Sequence, residues 1–265
     1  MSEISNQSYL LNDQYKNSEK FNARVMLHAR FSINKYGWHR WIFDHFKLPQ
    51  GARVLELGTG PGYLWQSNRD RIPEDLQITA SDFSPGMVEE AKHNLAWGKV
   101  FDFQVIDAQS IPYEDAFFDA VIANHMLYHV PDRPKALGEI RRVLKPGGRF
   151  YASTVGEHHM AEIEDLIWKT FQVRVSFGQQ TVRVFSLENG NRQLSAFFPH
   201  VTLSYYDNTL LVTEAEPLVA YMLSGRSRAM LDKQKQQQIR ELIEREIAEQ
   251  GVFRITTASG LFEAF

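Results

Sequence analysis

The stretch Arg53-Val54-Leu55-Glu56-Leu57-Gly58-Thr59-Gly60-Pro61-Gly62 constrains this chain more than any other. Its first half is a short apolar run, bounded upstream by Pro49-Gln50-Gly51, and reads as a strand buried on both faces. Its second half places Gly58, Gly60 and Gly62 at every other position, so the backbone can turn sharply and approach a ligand without a side chain intervening. A strand running into such a turn and then a helix is where a doubly wound sheet binds its ligand.

The chain beyond the turn keeps the same alternation. Tyr63 to Arg71 is predicted as a helix, and Gln77 to Asp82 as a second strand with Asp82 at its carboxyl end. Ser84 then stands as N-cap and Pro85 at the first helical position of a helix that Met87, Ala91 and Leu95 carry to Gly98. Val100 to Ile106 is a third strand ending at Asp107-Ala108-Gln109, and Phe118 to Ala123 a fourth ending at Asn124-His125. Arg133-Pro134 opens a helix that runs to Lys145 and stops at Pro146-Gly147-Gly148, before a fifth strand from Arg149 to Val155. Strands alternating with helices imply right-handed crossovers and a parallel sheet.

Flanking this core, Phe21, Val25, Met26 and Ala29 recur at helical spacing, as do Trp38, Trp41, Ile42 and His45, with a break at Asn34-Lys35-Tyr36-Gly37. Residues 1–48 read as a helix pair packed on the sheet, or as a lid with Tyr15, Arg30 or Tyr36 facing a ligand. Beyond 155 the expectations are helices over Met160–Phe171 and from an N-capping Ser186 to Phe198, then extended runs over 201–206 and 210–213, readable as one strand kinked at Asp207-Asn208. Helices over 214–223 and 231–250, the second closed by Gly251, precede an extended tail that supplies antiparallel strands to the sheet edge. The domain division is therefore a helical lid (1–48) and a main domain (49–265), the latter with a helical insertion at about 157–200 and a helical segment at about 214–250.

Composition enters by exclusion. The chain has no cysteine, which removes disulfides, thiolate metal sites and cysteine nucleophiles. Its formal net charge of −3 gives no electrostatic footprint for nucleic acid. No run reaches the ~18 apolar residues of a membrane span, the first residues carry no basic and apolar leader pattern, and a cytoplasmic location is the default expectation.

The glycine turn also excludes ligands. A dinucleotide fingerprint needs a third glycine three residues after the second, and that place is Tyr63. No phosphate-loop lysine follows either. The pattern is instead an acidic residue, Glu56, two before the first of three alternating glycines. A carboxylate there suits a ligand with cationic groups.

VLELGTGPG (54–62) and ASDFSPGMVEEA (80–91), with IDAQSIPYEDAFFDAVIANHMLYHVPD (106–132) and LKPGG (144–148), resemble the ordered motifs of class I S-adenosylmethionine-dependent methyltransferases. The set is similar to the broad group that includes the ubiquinone and menaquinone biosynthesis enzymes. The resemblance implies a Rossmann-like, doubly wound, mainly parallel seven-stranded α/β sheet with an antiparallel edge strand. It implies S-adenosyl-L-methionine as cofactor, S-adenosyl-L-homocysteine as product and a small-molecule methyl acceptor. It also implies roles at the strand ends. Gly58, Thr59 and Gly60 would pass close to the methionine moiety, Glu56 would stand near its amino acid end, and Asp82 would accept from the ribose hydroxyls. Phe83 and Met87 would flank the adenine, with Asp107, Ala108 and Gln109 reading its edge, while Asn124 would face the methionine moiety. His129 and His125 are the candidate bases for removing an acceptor proton, with Tyr128 between them.

Each residue has a plainer reading. Asp82 and Asp107 would cap turns, one of the histidines would only pack, and His158-His159, which could line the acceptor pocket, would more simply face solvent. The four-residue spacing of His125 and His129 leaves a strand rather than lying on a helix, and no metal site is expected. The proline pair that nucleic-acid amino-methyltransferases usually carry after the fourth strand is missing from Asn124-His125-Met126-Leu127, which argues against such a substrate. Trp38, Trp41, Phe171, Phe177, Tyr205 and Tyr206 fit either a small, partly apolar acceptor or a core. Two other functions remain in view: an S-adenosylmethionine-binding sensor or partner without transfer activity, and a nicotinamide-dependent oxidoreductase, which the misplaced glycine disfavours. Neither the oligomeric state nor the identity of the methylated atom is legible.

Overall fold

The computed structural model describes residues 6–9, 11, 19–172, 179–224 and 231–265, with only the backbone for 9, 19–21 and 179–181. Tyr15 and Phe177 lie outside the described residues. In chain order the helices are α1 (Gln7–Tyr9), α2 (Glu19–Phe31), α3 (Trp38–Asp44), α4 (Tyr63–Gln66), α5 (Pro85–Asn94), α6 (Arg133–Val143), α7 (Ala161–Phe171), α8 (Gln179–Val184), α9 (Gly190–Leu194), α10 (Ala215–Leu223) and α11 (Lys233–Gln250). The strands are β1 (Arg53–Leu57), β2 (Gln77–Asp82), β3 (Phe101–Val105), β4 (Phe118–Asn124), β5 (Leu144–Val155), β6 (Val201–Tyr206), β7 (Thr209–Val212), β8 (Phe253–Thr256) and β9 (Ser259–Ala264).

Seven strands form one sheet in the order β3-β2-β1-β4-β5-β9-β6. The first five pair in parallel, and β9 is antiparallel to both β5 and β6, so the antiparallel strand lies one place in from the edge. The central strands are apolar because both of their faces are covered. On one face Leu55, Leu57, Val121 and Ala123 pack with α6 and with Phe185, Leu194 and Phe198. On the other, Val54, Ile78, Ala120 and Ile122 pack with Ile42, Leu64, Trp65 and Leu95. Strand order reverses between β1 and β4, and the carboxyl ends of these strands open a crevice there.

Several element boundaries move for local reasons. α4 ends at Gln66 rather than Arg71, because the buried Asn68 amide bonds the Leu64 carbonyl (2.8 Å) and the His39 carbonyl (3.0 Å), substituting side chain for helix. α6 gives way at Leu144, which pairs with Phe118. The register then shifts so that Ala120 faces Arg149, and Lys145–Gly148 bulge from a strand that begins earlier than Arg149. Ser186 and Asn189 form a reciprocal pair (Asn189 N–H to Ser186 Oγ, 3.4 Å; Ser186 N–H to Asn189 Oδ1, 3.1 Å), and regular helix starts only at Gly190 and ends at Leu194. The stretch 201–213 is two strands in two sheets, not one kinked strand: β6 joins the main sheet while β7 pairs with β8. The Asn208 side chain holds the break by accepting from Asn34 N–H (3.1 Å) and donating to Ser32 Oγ (3.1 Å).

A second apolar cluster lies beyond the sheet. Leu27 and Phe31 of α2 pack with residues of α7, α10, α11, β7 and β8. The N-terminal helix thus shares a cap with distant parts of the chain. The region 157–200 divides, α7 joining this cap while Phe185, Leu194 and Phe198 pack on the sheet.

Candidate active site

The glycine turn sits where β1 ends. Gly58, Gly60 and Gly62 have φ of 75°, 55° and 83°, in the left-handed region that only glycine adopts cheaply. Each φ serves a different purpose. A Cβ on Gly58 would stand 2.9 Å from Met126 Cβ, and one on Gly62 2.7 Å from Leu95 Cδ1, so these two residues permit close packing. A Cβ on Gly60 would meet nothing within 4 Å, because that face borders open space.

Neighbouring strand tips hold the turn. Thr59 N–H donates to the Ser81 carbonyl (2.8 Å) and Gly60 N–H to Asp82 Oδ2 (3.0 Å), while Asp82 Oδ1 accepts from Ser84 N–H (2.8 Å). The expected Ser84 cap also forms, receiving Met87 N–H (3.4 Å). Burial raises the Asp82 pKa, and the backbone donors Ser84, Gly60 and Phe83 oppose that rise. Glu56 is buried beneath the turn. Its Oε2 accepts from Thr59 Oγ1 and from Trp65 Nε1, both at 2.6 Å. Burial pushes its carboxyl up to about 7 despite these donors, with the nearby Asp82 charge adding to the rise.

Glu56, Gly58, Thr59, Gly60, Asp82, Phe83, Met87, Asp107, Ala108, Asn124, His125 and His129 all line one cavity of about 750 Å³. Gln109 stands outside that lining. Its backbone N–H and side-chain amide both bond Asp107 (2.9 and 3.0 Å to Oδ1), and its Oε1 accepts Asp132 N–H (3.1 Å), so it orients Asp107 from behind. Asn124 Oδ1 accepts from Ser153 Oγ on the adjacent strand. His125 follows with φ 51°, strained for a non-glycine residue and held by Ser153 through Oγ (3.0 Å) and the carbonyl (3.3 Å). This conformation sets its ring 5.1 Å from Trp38. The protein wall around the imidazole pushes its pKa down to about 3. His129 ends a 3-10 turn (Leu127–His129), its ring 4.6 Å from that of Tyr128.

The opposite wall comes from the cap. Arg24, Val25, His28 and Ala29 of α2, Trp38, His39 and Arg40 of α3, His159, Tyr206, Asn208 and Tyr221 all line the same cavity. Tyr63 Oη donates to Asn22 Oδ1 (2.6 Å) and so ties the helix after the glycine turn to α2. Of the lid residues expected to face inward, Tyr36 lines the cavity rim and bonds Asp44 (2.7 Å), while Arg30 turns outward to Glu214. Trp38 and Tyr206 line the cavity, whereas Trp41 packs between Trp38 and Tyr206 and Tyr205 is exposed. His159, expected in solvent, lines the cavity. Among the described residues no group of His, Asp or Glu is arranged to hold a metal ion.

The sheet order is Rossmann-like, and acidic strand tips surround a glycine turn at the switch point, where open α/β sheets place ligands. Residues 55–152 match the family described as a methyltransferase domain. A ubiquinone/menaquinone biosynthesis C-methyltransferase of Desulfotalea psychrophila is 40% identical over 112 residues, covering 42% of this chain and 45% of that protein. A malonyl-[acyl-carrier protein] O-methyltransferase of Erwinia pyrifoliae is 27% identical over 207 residues, covering 77% and 76%. Among solved structures, phosphoethanolamine N-methyltransferase 2 of Haemonchus contortus in complex with S-adenosyl-L-methionine superposes with a TM-score of 0.60 at 19% identity, covering 97% of this chain and 59% of that one. The chain spans about half the length of the first curated relatives it matches. Of the cap wall, Trp38 and Tyr206 stand among the aromatics that fit an acceptor or a core, whereas Arg24, His28, His39, Asn208 and Tyr221 carry no signal in the sequence, because they come from separate segments.

Proposed function

We propose that this protein transfers a methyl group from S-adenosyl-L-methionine to a small-molecule acceptor. The observation that carries the reading is the convergence of Glu56, Asp82 and Asp107 with the Gly58–Gly60 turn on one cavity. The residues fit that cofactor. Gly60 leaves room for close backbone approach, Asp82 and Asp107 offer carboxylate acceptors at adjacent strand ends, and the cavity volume lies within the ~300–1,000 Å³ of ligand sites. Glu56 is a buried carboxyl poised near neutrality, which a cationic group beside it would hold ionised.

Bound there, the cofactor would supply an electrophilic methyl carbon: the acceptor's nucleophilic atom would give the pair for the new bond, and the pair of the broken carbon–sulfur bond would stay on sulfur. The protein's part is alignment. β1, β2 and β4 hold the cofactor residues, and the cap wall holds the acceptor at a fixed approach. Residues 1–48 act as a lid in this reading, supported by the bond from Tyr63 to Asn22 and by the cavity lining of α2 and α3. An acceptor that must lose a proton gives it to His129 or His125. Of the two, His125 is held neutral by burial and is a poor proton acceptor, so His129 is the base this reading favours. The acceptor is not a nucleic acid, a reading the net charge of −3 supports, and the setting is cytoplasmic. Among the described residues no helix is long and apolar enough to cross a membrane.

The test is calorimetric titration with S-adenosyl-L-methionine and S-adenosyl-L-homocysteine, followed by homocysteine-product formation with a panel of small acceptors. Binding without turnover on any acceptor would favour the sensor reading, and absence of binding would end both.

A further inference from the structure

One hydroxyl decides the geometry at the tip of β4. Asn124 pairs with Ser153 of β5 across the parallel ladder. Ser153 is fully buried, and its Oγ makes two bonds: it accepts His125 N–H (3.0 Å) and donates to Asn124 Oδ1. A buried hydroxyl needs an acceptor for its hydrogen, and among the described residues Asn124 Oδ1 is the one within reach. Were the amide turned over, Nδ2 and His125 N–H would both donate to Oγ, and the Ser153 hydrogen would stay in the core without a partner. Oδ1 therefore faces Ser153. The Asn124 Nδ2 has no partner among the described residues, and Asn124 is half-buried in the cavity lining, so the free face of its amide is a donor.

Strand register sets what lies beside that donor. Glu56 pairs with Ile122 and Leu57 with Ala123, so Asn124 stands level with Gly58, on the same sheet face as Glu56 and two residues nearer the strand tips. Glu56 Oε2 is occupied by Thr59 and Trp65, whereas Oε1 takes no bond among the described residues. Two neighbouring strands thus offer a carboxyl acceptor and an uncharged amide donor. That is the pair an amino acid zwitterion needs, an acceptor for its ammonium and a donor for its carboxylate. The other acidic strand tips, Asp82 and Asp107, are acceptors, so a ligand carboxylate turned toward β2 or β3 would meet like charge.

We propose that Ser153 is a positioning residue, whose hydroxyl holds the Asn124 amide so that Nδ2 donates to the carboxylate of the cofactor's amino acid end, with Glu56 on the ammonium side. The inference rests on the methyl-transfer reading above. The same hydroxyl, through His125 N–H, holds the left-handed residue (φ 51°) by which the chain leaves β4, so amide and turn are set together.

The experiment titrates the whole chain calorimetrically with S-adenosyl-L-homocysteine, with its decarboxylated analogue, which keeps the amine, and with methylthioadenosine, which has neither amine nor carboxylate. If the unaltered chain binds none of them, the methyl-transfer reading itself fails and this one with it. On the unaltered chain S-adenosyl-L-homocysteine should bind at least about tenfold more tightly than the decarboxylated analogue. Ser153→Ala leaves His125 N–H the Ser153 carbonyl (3.3 Å) but frees the amide, and should weaken S-adenosyl-L-homocysteine about fivefold or more. Asn124→Asp keeps an acceptor for Ser153 but sets a carboxylate oxygen where the donor stood, and should weaken it at least about tenfold. In both variants methylthioadenosine should stay within about threefold of the parent, and the amine analogue should do the same or tighten. Equal losses for all the ligands would mark Ser153 as merely structural and overturn the proposal. So would unchanged S-adenosyl-L-homocysteine affinity in either variant, a loss confined to the amine analogue, or an unaltered chain that does not distinguish the carboxylate. If Ser153→Ala does not fold, Ser153→Cys, a weaker donor at the same place, takes its part in the comparison.

Discussion

Gly60→Ala separates the role of the glycine turn in folding from its role in binding. Gly60 sits at φ 55°, so an alanine there costs ~1–2 kcal/mol of left-handed strain. Nothing lies within 4 Å of the added Cβ, so no packing cost is added. The expected fall in Tm is therefore about 2–8 °C for a chain of this size. The new methyl group would occupy the open space where the turn borders the cavity, and affinity for S-adenosyl-L-homocysteine should drop by at least about tenfold, or ~1.4 kcal/mol. Gly58→Ala is the counterpart. Its φ of 75° carries the same strain, but its Cβ would stand 2.9 and 3.0 Å from Met126 Cβ and Cγ. Overpacking adds ~1–3 kcal/mol, for a total of ~2–5 kcal/mol. Thermal unfolding followed by circular dichroism, with calorimetric titration of each variant at a temperature where both are folded, measures the two quantities separately. If Gly60→Ala binds S-adenosyl-L-homocysteine like the parent, or loses as much stability as Gly58→Ala, the assignment of the open face to the cofactor is wrong.

Asp82→Ala removes the acceptor of both Gly60 N–H and Ser84 N–H, so S-adenosylmethionine affinity should fall by ~1–3 kcal/mol together with Tm, and unchanged affinity in calorimetry would take Asp82 out of the site. Glu56, raised from its usual 4.5 to about 7, favours the fold most when protonated; that contribution is complete below about pH 4.5 and is lost as pH rises through 7. Glu56→Gln should flatten this loss, and cofactor binding at pH 6 should release a proton, read as a binding enthalpy that varies with the buffer; a buffer-independent enthalpy refutes it. The lowered imidazoles of His28, His39, His125 and His159 act with the opposite sign. Their unfolded forms take protons from about pH 6.5 downward while the folded forms do not, so Tm should fall between pH 6.5 and 4, less steeply in His125→Asn. His129→Ala should lower kcat far more than cofactor affinity if His129 takes the acceptor proton, and equal losses in both would mark it as packing.

The strand-tip half of the cavity could be read from the chain because its signals are local. Glu56, Asp82, Asp107 and Asn124 each stand within a few residues of a turn signal, at the end of an apolar run whose length identifies it as a strand. A parallel sheet then brings all those ends to one edge, whatever the rest of the chain does. The cap half has no such rule. His28 stands on α2 beside the core residues Leu27 and Phe31 with no signal of its own, and Tyr206 ends a strand that the sequence pattern can run on into β7. His159 acquires its orientation from Ala258, 99 residues away, through a bond that no spacing encodes. The side chain of Gln109 shows the same dependence: its position beside Asp107 is local, but its amide turns to Asp107 while its Oε1 accepts Asp132 N–H from across the next loop. The two halves also differ in how freely they can vary. Changing the residues proposed to hold the cofactor would disturb the strand ends and the glycine turn together. The cap residues come from separate helices and loops, so the proposed acceptor contacts can change one at a time while the sheet beneath stays intact.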